Sequence, residues 1–470
     1  LFATLYDSAI LTETKGTYSM RDKIFVGESG RFDWTSVGLS KDSVYFDITA
    51  PYFFKATRPE FKVEQGYITY WGRTPGKVAG MLEFKSVPHR SDVDAVWPRF
   101  TSYENNIRSA GLANPKLSFT GGFSMQGRKV SSSSLNSGMS TLELDGEAGK
   151  RFVVQSRSFD LQDSLIVAKQ GNLMIFHESD TLSHPSVDFR YYLSEERVEL
   201  SKTKSHLKDA PYASTYFDVD FSSDQIRWDL ENDSLNFYTA GGVSQSPMVI
   251  ESVDHFDYDD FFLLGGVGVT FHPLRLVAAY VQRFGVNTFN VGDLVQAYKK
   301  DYNEVRKAMD FLSSKGMVLY DPMNGTVTVK PKAVHVVNSY NEKSDYDNLK
   351  LHSVIQGAPN ASVSFSKGEM LVRGVEEVDV SDSLNFNIKP DSGIITILRN
   401  RDIKFNGIIT AGKFEMLGKD FTFKYDSFLI DLKHIDSIRF YVTEKNARGR
   451  AVRKRVNNAL VSADSTAAVA

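Results

Sequence analysis

Two short stretches gather side chains whose types could bind a metal or move a proton. Asp254-His255-Phe256-Asp257-Tyr258-Asp259-Asp260 places four carboxylates within seven residues. Hard oxygen donors at that density suit calcium. Asp254, Asp257 and Asp259 also have the types needed for the acid and base of a carbohydrate-active enzyme on a β-solenoid. The run leads straight into apolar residues 261–264, so we read it as an exposed acidic loop entering a buried strand. His177, Glu178, Asp180 and His184 form the second group, with imidazole and carboxylate donors that zinc or another divalent ion accepts. It falls between two strand-like runs and reads as a polar hairpin loop. Neither group is assigned a catalytic residue, a metal or a cofactor.

A third set is cationic. Arg306, Lys307, Lys330 and Lys332 lie in a stretch, 272–332, with nine Lys or Arg against five Asp or Glu, a net charge of +4. They are the residues a nucleic-acid-binding reading would use, through phosphate contacts. Residues 301–315 alone balance: Arg306, Lys307 and Lys315 against Asp301, Glu304 and Asp310. A major-groove reading helix would be expected to be basic, so the preferred expectation is ordinary solvated charge on a docking module, without nucleic acid as a partner.

The common enzymatic signatures are missing: no phosphate-binding G-x-x-x-x-G-K-[ST], no H-E-x-x-H, no G-x-S-x-G. The 470 residues contain no cysteine, which excludes disulfides, thiol catalysis and cysteine-ligated zinc. A net charge of −3 gives no whole-chain attraction to nucleic acid or anionic lipid. With 41% hydrophobic residues and 33 Phe plus 21 Tyr, the composition is that of a folding chain suited to strands and broad packed faces. No apolar run reaches the length of a membrane-spanning helix. The opening residues offer neither an initiator Met nor a signal peptide, and the chain is read as a piece of a longer protein.

The elements that position these residues follow from periodicity. After Pro273, which suits a first helical turn, Leu274, Val277, Ala278, Val281 and Phe284 form one apolar stripe, stopped by Gly285. Asn290 with Asp293, and Asp301 with Glu304, are capping pairs opening two further helices. The second of these would bury Val305, Ala308, Met309 and Leu312, and end at Gly316. Asn324-Gly325 between two β-favouring runs is a hairpin signal. The stretch "TFNVGDLVQAYKKDYNEVRKAMDFLSSKGMVLYDPMNGTVTVKP" resembles the winged helix-turn-helix family in order, length and wing position.

Elsewhere the chain reads as strands. Short β-type runs with Gly, Pro or Asp turns recur through 1–86, 117–271 and 333–443. Residues 90–111 read as a helical interruption with Val93, Val96, Phe100 and Ile107 as its apolar positions, divided by Pro98 into two short pieces. Asp-Ser followed by apolar-x-apolar recurs at 42, 163, 233, 382, 426 and 436. Asp-Ser sets turns through its own backbone, and stacked units of this kind are the logic of a solenoid. "DSLNFYTAGGV" and "DSLNFNIKPDSGIITI" resemble strand-turn-strand units of the OstA/LptA-like lipopolysaccharide-transport proteins. That resemblance implies a stacked β-jellyroll in the cell envelope.

The expected fold is therefore mainly β: stacked or solenoid-like antiparallel strands, of β-jellyroll or β-solenoid type, with an inserted winged-helix-like α+β module. The expected regions are 1–116 and 117–271 (β-rich, the first with the helical interruption), 272–332 (the module), 333–443 (β-rich) and 444–470 (a basic, then low-complexity linker). The expected role is a non-catalytic structural or interaction component of a bacterial cell envelope or surface, in the periplasm, outer membrane or exterior. Its partners would be other envelope proteins or a lipopolysaccharide-type glycolipid. The alternatives are nucleic-acid binding through the four cations, and the carbohydrate-active enzyme.

Overall fold

A computed structural model of the chain describes residues 6, 8–109, 112, 114–147, 149–205, 207–240, 246–266, 268–347, 349–381, 384–445 and 451–455. The protein is mainly β, 50% strand and 13% helix, built on a large antiparallel sheet. It forms two compact units, Leu1–Glu178 with Val187–Val198, and Ser179–Ser186 with Glu199–Ala470.

In the first unit, alternation decides which side chains are buried. Val44–Ile48 buries Val44, Phe46 and Ile48, and Val78–Lys85 buries Val78, Leu82 and Phe84, as expected where one strand face meets a core and the other meets water. Rings fill that core: Phe32 lies 5.1 Å from Phe84 and 5.4 Å from Phe61, centroid to centroid. Gly66 makes room for another, since a Cβ there would sit 2.3 Å from the Phe46 ring. The helix expected within 90–111 does not form among the described residues. Phe100 instead lies on Arg99–Ser102, opposite Leu82 on one side and Met125 on the other. Pro98 accounts for the difference, because the residue before a proline is steered away from helical backbone.

In the second unit, strand Met248–Ser252 pairs antiparallel with Lys350–Ser353, Met248 opposite Ser353 and Glu251 opposite Lys350. The chain leaves the sheet at the end of one strand and re-enters on its neighbour, and the intervening residues carry the helices. These are α1 (Tyr258–Leu263), α2 (Pro273–Phe284), α3 (Val291–Tyr298), α4 (Tyr302–Ser314) and α5 (Pro331–Tyr340). Strand Thr288–Asn290 joins the hairpin Val318–Asp321 and Thr326–Val329 in a three-stranded sheet of its own. One apolar cluster from Phe256 to Val337 unites them, so the packed module extends on both sides of 272–332.

Local chemistry in the module follows the sequence closely. Asn290 Oδ1 accepts from Gly292 N at 2.9 Å, and Asp293 Oδ2 accepts from Asn290 N at 2.8 Å, closing the capping box of α3. Asn290 Nδ2 also donates to the Asn324 carbonyl at 2.7 Å, tying the helix start to the hairpin turn. Asp301 caps α4 through Asn303 N and Glu304 N, and Val305, Ala308, Met309 and Leu312 are buried. The stripe on α2 differs at its end: Leu276 and Tyr280 are buried, whereas Phe284 is exposed.

The Asp-Ser pairs at 42, 163, 233 and 426 lie at turns or bends before strands, whereas Asp436-Ser437 lies inside strand Leu429–Lys445. Asp382-Ser383 falls outside the described residues, as do 446–450 and 456–470 of the expected linker, whereas its residues 451–455 form a strand paired antiparallel with 441–445. At 42, 163, 233 and 426 the pair is accordingly turn chemistry at strand entries, and at 436 it is not.

Candidate functional site

Of the charged residues singled out by the sequence, Lys332, Asp260 and Asp254 lie where the inserted module meets the strands that frame it. Strand pairing sets Asp220 opposite Glu251, Glu251 opposite Lys350, and Lys350 opposite Asp379, a row of charged residues across one sheet face in which two carboxylates stand directly opposite each other and require a cation between them. Onto this row α5 lowers Lys332. Its Nζ lies 2.7 Å from Asp220 Oδ2 and 3.7 Å from Glu251 Oε2, with only 11% of the lysine side chain and 8% of the aspartate exposed. Lys350 Nζ bridges Glu251 Oε1 at 2.8 Å and Asp260 Oδ2 at 3.6 Å.

Burial opposes charge on Lys332, but Asp220 and Glu251 outweigh it and raise its pKa above the ordinary lysine value. Burial likewise opposes charge on Glu251, and Lys332 and Lys350 hold its carboxyl below the ordinary range. A cavity of about 430 Å³ opens beside this network, walled by Phe221, Val249, Phe256, Phe261, Leu264, Phe311 and Met317.

A second cluster centres on Arg401. Its Nη1 donates to Asp254 Oδ2 at 2.7 Å, Ser252 Oγ at 3.0 Å and Asp347 Oδ2 at 3.2 Å, and its Nη2 to Asp426 Oδ1 at 3.1 Å. Ser252 Oγ donates in turn to Asp347 at 2.6 Å, and the guanidinium lies 4.9 Å from the centre of the Tyr425 ring. Burial raises the Asp347 carboxyl above its ordinary value in spite of these donors. Asn400 and Arg401 are both left-handed, φ +58° and +66°. Non-glycine residues adopt that backbone only where surrounding interactions hold them, and four hydrogen bonds to one side chain are such a hold. From α5, His335 Nε2 adds a contact to the Asp254 carbonyl at 3.0 Å.

The three sets read from sequence are placed differently from one another. Of the acidic run, Asp254 belongs to the Arg401 cluster, Asp257 caps α1 by accepting from Asp260 N at 2.9 Å, and Asp260 reaches Lys350. Asp259 lies in the first turn of α1, where a carboxylate complements the helix dipole. The expected loop-to-strand passage is corrected: the run opens a short helix that buries Phe261 and leaves Phe262 and Leu263 exposed. A helical turn spreads consecutive side chains around an axis, which separates the carboxylates.

His184 likewise is not on a loop. The turn is confined to Glu178 and Ser179, and His184 sits within strand Asp180–Tyr192, 2% exposed. Its Nε2 lies 2.9 Å from the Ala210 carbonyl, and its Nδ1 accepts from Ser186 N at 3.1 Å. Burial, with a smaller effect of Lys330 and Lys202, brings its pKa down to about 4. Asp180 is engaged by Thr215 Oγ1 at 3.0 Å and Arg399 Nη2 at 3.0 Å. Among the described residues no three His, Asp or Glu side chains are grouped to hold a metal ion.

The four cations do not share a surface role. Lys332 is turned inward onto carboxylates, and Lys330 is largely enclosed, with burial pushing its pKa down. Arg306 and Lys307 stay on the outer side of α4, with Arg306 half-buried and Lys307 exposed. Asp220, Glu251, Lys350 and Arg401 were not singled out by the sequence. For Asp220 and Glu251 the local signal is a charge at an otherwise apolar strand position, whereas Lys350 opens its strand and Arg401 lies in the short helical turn Arg399–Arg401 among other polar residues. Comparison of the chain with known protein families, with curated proteins and with solved structures found no match.

Proposed function

We propose that this chain is a non-catalytic interaction component of a bacterial cell envelope or surface, and that the inserted module is its docking unit. One observation carries the reading. The module is clamped to its framing strands by buried charge pairs, yet α1 holds Phe262 and Leu263 out to solvent, 61% and 71% exposed. Asp257, Asp259 and Asp260 lie beside them, so the matching partner is an envelope protein presenting a large apolar side chain flanked by basic groups. The rigid clamp supports this role because a docking surface on a fixed base loses less freedom on binding. Assignment to the envelope rests on the strand-turn-strand resemblance in the sequence. No helix among the described residues is long and apolar enough to cross a membrane.

The test is cell fractionation with protease shaving of intact cells, comparing wild type with the double variant Phe262→Asp/Leu263→Asp. Wild type is expected in the envelope fraction and the double variant in the soluble one. Recovery of wild type in the cytosol overturns the envelope assignment, and envelope recovery unchanged by the double variant overturns the role of α1.

A further inference from the structure

A second cavity, of about 580 Å³, lies in the first unit, and its chemistry differs from that beside the module. Strands Tyr52–Lys55 and Glu60–Tyr70 share a single paired position, Phe53 opposite Lys62, and the cavity opens around it. Alternation turns Tyr52 into the core and leaves Phe53 outward, 66% exposed. The fold is indifferent to what stands there, since a polar residue would serve an outward strand position equally well. Trp97 adds a second aromatic wall, steadied by the Arg99 guanidinium 4.1 Å from its ring centre.

Besides aromatic side chains, the lining holds Lys55, Arg58, Lys62 and Lys85 against Glu60, Glu64 and Glu83, so it is nearly neutral. Arg58 lies 3.6 Å from Glu60, Lys62 lies 3.6 Å from Glu64, and Lys85 lies 3.7 Å from Glu60. These separations exceed hydrogen-bond length, so both signs of charge remain able to donate to, or accept from, a ligand. A polyanion such as nucleic acid would gain at the lysines what it lost at the glutamates. A lipid tail would strip water from the charged groups that line the cavity. A sugar ring suits both parts: its C–H face covers an aromatic ring, and its hydroxyls each donate and accept. The volume lies within the range of ordinary ligand pockets.

We propose that this cavity binds an uncharged sugar chain, with Phe53 and Trp97 as stacking surfaces and Lys62 and Glu60 as hydrogen-bonding groups. The residues of the site all belong to the first unit, and sugar binding there does not depend on the proposed docking role.

The experiment is to apply the purified full chain to an array of neutral and acidic oligosaccharides, alongside Phe53→Ala and Lys62→Ala. Neutral chains are expected to be retained. Phe53→Ala should weaken retention by about tenfold or more, as loss of a covered aromatic surface implies. Lys62→Ala should weaken it roughly 3- to 10-fold, the loss of one hydrogen bond. Both positions are exposed, and unchanged melting temperatures confirm that the variants fold. Retention of no neutral chain, retention unaltered by Phe53→Ala, or a preference for acidic chains each overturns the proposal. Phe262→Asp/Leu263→Asp is expected to leave retention unchanged, and a loss there would place the sugar elsewhere and overturn it too.

Discussion

In the first unit, order comes from repetition: strand after strand buries every second residue, and rings such as Phe32, Phe61 and Phe84 interlock across the interior. The inserted module has an apolar core of its own, from Phe256 to Val337, but its polar fastenings are a few specific groups. Asn290 and Asp301 start its helices, and Lys332 with His335 joins it to the neighbouring strands. Distributed apolar packing loses stability in proportion to the area removed. A module fastened at a few polar points should respond to single substitutions out of proportion to their size. That contrast can be tested directly.

The largest effect is expected at Lys332. Lys332→Ala leaves Asp220 buried without its cation, and breaking such a pair costs about 3–5 kcal/mol. Calorimetric unfolding should show an early transition that the wild type lacks. A cost below about 1 kcal/mol would mean that the module is held by its apolar face alone.

His184 provides the next largest, as a pH dependence. Its folded pKa of about 4 lies below the ordinary 6.5, so the unfolded chain takes up the proton first as pH falls. The stability it confers is complete above about pH 6.5 and is lost between about 6.5 and 4, a loss on the order of 3 kcal/mol. Denaturant midpoints measured across that window should fall in wild type and level out in His184→Gln. Parallel curves for the two proteins would remove His184 as the cause.

Loss of a helix cap is smaller. Asn290→Ala removes the bond from Gly292 N and the tie to Asn324, and should lower stability by about 1 kcal/mol or somewhat more. Hydrogen exchange should quicken at the start of α3 and at the hairpin turn together. Quickening at α3 alone would show that the tie to the turn carries no weight.

Smallest is the outer face of α4. Arg306→Ala with Lys307→Ala should change stability by less than about 0.5 kcal/mol. Duplex binding by wild type that falls steeply with salt and vanishes in this variant would favour nucleic acid as the partner over the docking role.

The helices of the module were legible because their determinants are local. A cap needs an Asn or Asp and a backbone N–H two or three residues away, as at Asn290 and Asp301. The mainly β character was legible for the same reason, since alternation is read within a single strand. The hairpin formed where Asn324-Gly325 marked it, although Asp321 builds a four-residue loop by accepting from Met323 N and Asn324 Nδ2. Residues 90–111 misled because Pro98 does not split a helix into two short pieces: it steers the preceding backbone away from helix, and the residues after it pair as strand Arg99–Ser102.

What the amino-acid sequence determined alone is the strand grammar, the helix starts and stops, and the absence of cysteine chemistry. The partners of its charges were decided only by tertiary structure. Lys332 meets Asp220 across 112 residues of chain, and Arg401 meets Asp254 across 147. Whether a lysine reaches a phosphate or a buried carboxylate depends on which strand lies beneath it, and strand neighbours are set by pairing across the whole sheet. A charge carries no record of its distant partner, whereas a capping residue and its helix lie side by side in the chain.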